Sequence, residues 1–548
     1  MKIGVFVYNS KQLDNWQLRI LDGIVNDPTL ELVLLIEGGQ EIDWRLNNSL
    51  EGGHTFAGAS HLLLKAQLYL EKEYLFKSKG SIIESELGVV LNNIPTIQVQ
   101  PVIDKKGSIF APLEINLIQG YELDLLLNLG SGKIVGEMPN VAKYGTWTLV
   151  LKDYLEKRSG PVGFWEVHKK KPVIGATLLK TTSTTQETEI LDTAFFNRHW
   201  SITETATTVA EGSVSLLFKN LVKLKDQYFV TSKESIVSLP KDIGPKPLEV
   251  LQYIFGFYGQ FFNRLVEKFM ARYFKRRYEC WTIFTGDTGF FDDITSGSFP
   301  LRMPDDEFWA DPFLHTYKGV DYLFFENYSY ITKRGKISCG ILTDTELTDI
   351  VDVLDFKYHL SFPFLFEENG EIFLMPESSE NKKLQIYRAV DFPLRWELYS
   401  TAFEGELVAD AFIHVDTDKQ KWLFLNKQAS ATAPMNSELF IYQIDSLKFN
   451  SVIPHRQNPV IIDAKVARNG GSIFKHDGDF YRPSQRNIDG IYGRALNINK
   501  IEKLTISEYV ENTVKIIAPT FDKKLMGLHH LHQCGGRFVF DAAYRTRK

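Results

Sequence analysis

The sequence predicts an α/β domain and an all-β domain in one chain. A doubly wound α/β domain is expected over residues 1–225 and a five-bladed β-propeller over residues 279–548, with a helical connector at residues 226–278. Two observations carry this division. In the first part, short apolar strands alternate with stretches of helical spacing, the pattern of a largely parallel sheet. In the last part, a phrase of two short strands around a turn recurs five times at a period of roughly 50 residues, the size of a four-stranded blade.

The α/β domain opens on Lys2 to Tyr8 (KIGVFVY), a strand of buried type. Trp16 to Val25 has apolar residues three and four apart and is expected to be a helix. Leu30 to Glu37, Ile97 to Val102 and Leu123 to Leu129 are expected strands. No Gly-x-Gly-x-x-Gly follows the first strand, so no dinucleotide cofactor is expected, and none of any other kind. Gly130-Ser131-Gly132 follows a strand and suits either close approach to a ligand or a plain tight turn.

In the connector, Lys241 to Pro247 is rich in helix breakers, and Leu248 to Tyr273 has helical spacing with many aromatics. Lys275-Arg276-Arg277 follows. An amphipathic aromatic helix with a basic end can lie on an anionic membrane surface, so peripheral membrane contact through residues 248–277 is one expectation. Packing between two domains is the other, and the polar positions Asn263, Glu267 and Arg272 favour it.

The repeats are Phe308 to Ser329, Ser361 to Ser378, Ala409 to Lys427, Ala467 to Gln485 and Gly527 to Tyr544. The first strand of a blade lies nearest the axis and the second returns antiparallel, so its start and the end of its partner meet on one face. Starting positions carry Asp311, Ser361, Asp410, Arg468 and His529; ending positions carry Glu326, Glu377, Asn426, Gln485 and Asp541. A ring of polar groups around one mouth of the channel is therefore expected, with Arg482 and His530 beside it. Asp311 before Pro312 also suits a turn cap, and Arg482 could pair with Asp311 or Glu377. By strand alternation His530 and His532 share a face while His529 opposes them; two imidazoles are a weak metal signal, so no metal is expected. Open sheet edges are a liability, so Cys280 to Phe284 is expected to close the ring as the outer strand of the last blade.

Composition bounds the function. With 44% hydrophobic residues in 548, the chain can build real cores. Its 39 Phe and 23 Tyr suit short strands, and some suit sugar-stacking surfaces. A net charge of -6 gives no sign of a nucleic-acid partner. Three distant cysteines make neither a disulfide framework nor a zinc pattern, and MKIGVFVYNS runs directly into a strand without a signal-peptide pattern; a cytoplasmic protein is expected.

Tyr144-Gly145-Thr146-Trp147 and Arg158 to Val167 (RSGPVGFWEV) resemble the N-terminal domain of formyltransferases. That family uses an Asn-x-His pair and a downstream Asp. Here Thr148 stands where the resemblance places the Asn, Val150 where it places the His, and the Asp position falls near Thr185 or Gln186. None of these can serve as a general base, and Asp153 lacks an imidazole beside it, so the resemblance implies a degenerate, Rossmann-type domain that binds a ligand or acts as a scaffold.

Trp309-Ala310-Asp311-Pro312-Phe313, Met375-Pro376-Glu377-Ser378 and Tyr481-Arg482-Pro483-Ser484-Gln485 resemble the propellers of arabinanase, xylosidase and levansucrase type glycosidases. They are more similar still to the N-terminal domain of plant glucosamine inositolphosphorylceramide transferases and to bacterial relatives found with polysaccharide genes. The resemblance implies Asp311 as base or nucleophile and Asp410 as the residue that orients or tunes it. Glu377 is the nearest substitute for the acid, with Glu326 behind it. Glu326, Arg468, Arg482, Gln485, His529 and His530 are then expected to contact substrate. The implied partner is a carbohydrate or nucleotide sugar, and the cations suit an anionic ligand. The expected function is cleavage or transfer of a glycosyl unit in cell-surface glycan biosynthesis. A non-catalytic carbohydrate-binding scaffold and a sugar N-formyltransferase using formyltetrahydrofolate are the alternatives.

Overall fold

The computed structural model describes residues 1–38, 59–76, 84–104, 107–130, 132–155, 160–181, 188–226, 235–236, 244–287, 289, 291, 294, 297–344, 346–430 and 432–547. The expectations for Thr185, Gln186, Ser131, Arg158 and the start of the Lys241 to Pro247 loop lie outside the described residues. Two compact units are present, Met1–Phe262 and Asn263–Lys548.

The first unit is built on an eight-stranded sheet. Its order is Thr96–Val99, Glu31–Gly38, Lys2–Val7, Leu125–Asn128, Thr146–Val150, Val173–Thr181, Thr188–Asn197 and Ser235–Ile236. The first five strands are parallel and the last three are added antiparallel. KIGVFV alternates its side chains between two covered faces, so all but the first residue are buried. Phe6, Leu34, Ile36 and Leu126 meet Ile115, Ile118, Met138 and Val141 in one core. The helix Asn15–Asn26 opens with Gln17 accepting from the Asp14 amide at 2.9 Å, half of a capping box.

The helix Ile202–Lys225 starts on Ser201, which accepts from the Glu204 amide at 3.2 Å. Glu71 is buried beside this start. It accepts from Ser201 Oγ at 2.6 Å, the Thr203 amide at 3.3 Å, Tyr253 Oη at 2.5 Å and Gln67 Nε2 at 3.1 Å. A carboxylate there satisfies orphan helix amides and favours the positive end of the dipole. The helix Pro247–Phe274 buries Val250, Tyr253 and Phe257 against Leu64, Leu68, Phe164 and Ile202. Phe255, Phe262, Val266, Phe269, Tyr273 and Phe274 on the same helix are exposed. Among the described residues no helix is long and apolar enough to cross a membrane.

The second unit is a five-bladed propeller of antiparallel sheets. Blade one is Glu307–Tyr317, Val320–Ser329, Arg334–Leu342 and Leu347–Leu354; blade two is Ser361–Glu368, Glu371–Glu377, Leu384–Asp391 and Arg395–Ala402. Blade three runs from Val408–Val415 to Val452–Pro454, and blade four from Phe474–His476 to Tyr509–Ile517. Blade five takes Leu525–Cys534 and Arg537–Arg547 from the end of the sequence and Arg277–Gly286 and Phe299–Pro300 from its start. The ring is closed as expected by the Cys280 to Phe284 strand, with one correction. That strand is third in the blade, because the two-residue strand Phe299–Pro300 pairs outside it.

Candidate functional site at the propeller mouth

The innermost strands share an irregularity. Their register with the second strand slips between Ala310 and Phe313, Ser361 and Phe364, Ala409 and Phe412, and Leu528 and Leu531. The extra residue of such a bulge bends the strand and re-aims side chains. In the first three blades the bulge holds a left-handed residue: Asp311 at φ 49°, Phe362 at 44° and Asp410 at 46°. This backbone costs a residue with a Cβ roughly 1–2 kcal/mol, so its surroundings must impose it.

Hydrogen bonds between neighbouring blades impose it. The Asp311 amide donates to Asp541 Oδ2 at 2.9 Å, the Phe362 amide to Asp311 Oδ2 at 3.2 Å and the Asp410 amide to Glu377 Oε2 at 3.2 Å. In blade four the Asn469 amide donates to Asn426 Oδ1 at 2.9 Å. Asp541, Glu377 and Asn426 at the ends of second strands, and Asp311 in the first strand of blade one, therefore lace blades five, two, three and one each to the next.

Asp311, Glu326, Asp410 and Asp541 are all buried, and Glu377 is nearly so. Two cations stand among them. Arg468 Nε donates to Asp410 Oδ2 at 2.5 Å, and its Nη2 lies 3.7 Å from Glu377 Oε2. His529 Nδ1 is 2.6 Å from Asp541 Oδ1 and its Nε2 is 3.4 Å from Asp311 Oδ1. Gln485 Nε2 donates to Asp410 Oδ2 at 3.2 Å. Burial pushes Asp311 up to about 7; His529 opposes the rise, and Asp541 and Asp410 add to it. Burial likewise raises Asp410 to about 7 against the pull of Arg468, with Glu377 adding to the rise. Burial, then Asp311 and Glu377, hold Glu326 well above the usual carboxylate range. Burial alone would lower His529, but Asp541 and Asp311 outweigh it and raise it. Burial and mutual repulsion thus raise three carboxyls of one cluster, Asp311, Asp410 and Glu326, above the usual carboxylate range; acid–base chemistry at an acetal requires one protonated and one ionised carboxyl.

Asp311, Glu326, Glu377, Asp410, Arg468, Gln485 and His529 are brought together. Three expectations need correction. Arg482 is fully buried away from the mouth. It bonds Glu511 through Nε at 2.8 Å and Nη2 at 2.5 Å, Asn469 Oδ1 through Nη1 at 2.9 Å, and the Val466 carbonyl through Nη2 at 2.8 Å. It points so because alternation puts Arg482 on the opposite side of its strand from Tyr481 and three residues from Gln485. His529 and His530 do not oppose one another: the bulge between Leu528 and Leu531 breaks the alternation, and His530 Nδ1 also comes to 3.6 Å from Asp311 Oδ1. The His530 ring is buried and neither nitrogen makes a hydrogen bond among the described residues. Ser361 is not the counterpart of Asp311 and Asp410, because the left-handed bulge residue of blade two is Phe362.

Trp281, Tyr492 and Asn469 were not singled out in the sequence. Trp281 lies on His529 with ring centroids 3.9 Å apart, and Tyr492 lies 5.5 Å from the same ring and 5.5 Å from the Arg468 guanidinium. The one available signal was a Trp in the closing strand. Asp541 was legible as an ending position of the fifth repeat. Asp311, His529 and Asp541 each offer a donor atom within 4.8 Å of the others, a set that could hold a cation; the weak metal signal considered from sequence involved other histidines.

In the first unit, Thr148 and Val150 are buried on one strand. Thr148 Oγ1 accepts from Asn128 Nδ2 at 3.3 Å, and Asp153 Oδ1 accepts from the Leu155 amide at 3.0 Å. An amide beside Thr148 cannot take a proton as a base.

Residues 294–529 match the family described as glucosamine inositolphosphorylceramide transferase 1, N-terminal. Glucosamine inositolphosphorylceramide transferase 1 of Arabidopsis thaliana is 38% identical over 222 residues, 40% of this chain and 28% of the relative. The protein of the same name from Oryza sativa subsp. japonica is 36% identical over 226 residues, 40% of this chain and 29% of the relative. The chain thus spans less than a third of the length of these curated relatives. Among solved structures, a thermostable family-43 glycoside hydrolase is 14% identical, with 43% of this chain and 88% of that one covered and a TM-score of 0.33. An exo-β-1,3-galactanase from Phanerochaete chrysosporium with β-1,3-galactotriose is 12% identical, with coverages of 43% and 60% and a TM-score of 0.32. The propeller of this chain resembles the N-terminal region of the glucosamine inositolphosphorylceramide transferases over residues 294–529.

Proposed function

We propose that the propeller mouth takes a carbohydrate and cleaves or transfers a glycosyl unit, in the biosynthesis or tailoring of a cell-surface glycan. The observation that carries this reading is the pair Asp311 and Asp410, both pushed up to about 7 in a buried cluster that also holds Arg468 and His529. Asp311 serves as base or nucleophile. Asp410, fixed by Arg468 and Gln485, tunes it. The acid is Glu326 or Glu377: burial holds the first well above the usual carboxylate range, and the second accepts from the Asp410 amide. Trp281 and Tyr492 offer faces for a sugar ring. The names of the relatives support a sugar-bearing substrate, and a nucleotide sugar suits the cations.

The test is incubation of the protein with nucleotide sugars and oligosaccharides, read by mass spectrometry. A product made by the wild type and lost in Asp311→Asn supports the reading. Glu326→Gln and Glu377→Gln then separate the two acids. Glycan bound without product moves the reading to a non-catalytic scaffold, which the blade-lacing bonds of Glu377, Asn426 and Asp541 favour. A mass gain of one formyl group, with formyltetrahydrofolate and an amino sugar, would instead make the first unit a formyltransferase.

In the same reading, residues 1–225 are a degenerate formyltransferase-like domain, residues 226–278 a connector and residues 279–548 the working propeller. The exposed Phe262, Phe269 and Tyr273, with Lys268, Arg272 and Lys275 on the same stretch, support peripheral contact with an anionic membrane. Co-sedimentation with anionic vesicles tests it. Cys280, Cys339 and Cys534 form no disulfide among the described residues, which suits a cytoplasmic location.

A further inference from the structure

The second unit carries a groove of about 1140 Å³ whose charge runs against that of the whole chain. The chain has 62 basic and 68 acidic residues. The groove is lined by Arg276, Arg302, Arg494, Lys523, Lys524 and Arg545, with Asp522 as the acid among its lining residues. Among the described residues, none of these six cations is in an ion pair. Elsewhere on this unit several arginines and lysines are paired, as Arg334 is with Asp355, Lys336 with Asp352 and Arg388 with Glu371. Six like charges facing one concavity repel one another and focus a positive potential that an anion would relieve.

The groove is built as well as charged. Arg494 is half-buried, and its Nη1 donates to the Met526 carbonyl at 2.8 Å, which fixes its fork. Leu301 and Leu525 are buried in its wall. Gly493 has φ 58°, and a Cβ there would come within 2.5 Å of His529 Cβ and 3.1 Å of the Trp281 ring. Backbone, Trp281 and His529 are therefore packed into one partition. On one side of it His529 faces Asp311. On the other, Thr282, Arg494 and Met526, chain neighbours of Trp281, Gly493 and Gly527, line the groove.

We propose that this groove binds the phosphate or diphosphate of an ester whose sugar lies in the neighbouring mouth. Arginine forks pair two-pronged with phosphoryl oxygens, and exposed lysines add charge without fixed geometry. The volume suits a diphosphate together with the group attached to it. The phosphoryl group belongs to a soluble ester or to a lipid headgroup at a membrane surface, and the chemistry of the groove is the same for both. Only the placement of the sugar rests on the function proposed for the mouth.

The test is calorimetric titration of the full chain with inorganic pyrophosphate and with inorganic phosphate, at about 50 mM salt so that screening stays modest. Co-sedimentation with phosphatidylglycerol-containing vesicles, against pure phosphatidylcholine, is run beside it. The variants are Arg302→Ala/Arg545→Ala and Lys523→Ala/Lys524→Ala, all at exposed positions, with melting curves to check folding. Saturable pyrophosphate binding is expected, tighter than phosphate, weakened roughly tenfold or more in the arginine variant and unchanged in Asp311→Asn. Vesicle binding lost in the groove variants, without binding of free anions, assigns the same site to a lipid headgroup. Absence of binding to all three probes overturns the proposal, as does binding that both groove variants retain. If the mouth proves inert toward glycans while pyrophosphate still binds and the arginine variant abolishes it, the function proposed for the mouth fails and the groove stands.

Discussion

Two buried arginines in the same propeller, Arg482 and Arg468, live in opposite surroundings. Arg482 is closed off: Glu511 takes two of its donors, Asn469 and backbone carbonyls take the others, and Tyr509 Oη donates to Glu511 at 2.5 Å. Arg468 faces an excess of acid. It bonds Asp410 and approaches Glu377, while Asp311, Glu326 and Asp541 crowd nearby with the His529 ring among them. Gln485 Oε1 and both His530 nitrogens make no hydrogen bond among the described residues. The first set is built to be satisfied and the second to accept something. Buried polar groups are high-stakes in both cases, but only an unsatisfied set retains affinity for a ligand.

The comparison breaks most sharply on activity. Asp311→Asn is expected to reduce product formation by about 10²- to 10⁴-fold, the range for one acid–base group. Rates measured on the panel of sugars check this, and an unimpaired variant would end the catalytic reading of the open set.

Stability should separate the two arginines next. Arg482→Met strands the Glu511 carboxylate in the interior and is expected to cost about 3–5 kcal/mol. Arg468→Met should cost clearly less, because Asp311 and Asp410 already titrate near neutrality and can take up protons instead. Equal losses in urea denaturation would erase the distinction.

A smaller effect is expected from pH. The carboxyls of Asp311 and Asp410 rise from 3.8 unfolded to about 7 folded. The folded state therefore holds more protons between these values, and stability falls as pH rises. The contribution is complete below pH 3.8 and is lost as pH passes about 7. Asp311→Asn removes one such titration, so its melting temperature should exceed that of the wild type at pH 8 and converge on it toward pH 4. A difference that grows on acidification would contradict the raised carboxyl.

The smallest effect belongs to the exposed face of the helix Pro247–Phe274. Phe269→Ser/Tyr273→Ser removes two exposed aromatic rings, at 53% and 64% exposure, and should change stability by no more than about 0.5 kcal/mol. Loss of vesicle co-sedimentation in this variant would sharpen the contrast between a surface that holds the fold and one that holds a partner.

Much of this was legible in the residues. The recurrence of polar ends on paired strands placed Asp311, Glu326, Glu377, Asp410, Gln485 and Asp541 at one mouth, because strand pairing and a repeat of fixed length are local properties. The spacing of apolar residues gave the helix over Leu248 to Tyr273 within a residue of its observed ends. The closing strand followed from the cost of an open sheet edge. What the sequence could not determine was set by contacts between distant segments. Alternation alone put His529 and His530 on opposite faces, and a bulge held by Asp541 put both beside Asp311. Alternation turns Arg482 to the side of its strand away from Gln485, but only the fold brings Glu511, 29 residues on, to take its charge. Trp281 reaches His529 only because the two ends of the propeller close into one blade. The basic groove is likewise assembled from residues 276, 302, 494, 523, 524 and 545, which no window of sequence brings together. Periodicity is written along the chain, whereas charge balance depends on which groups the closed ring brings face to face.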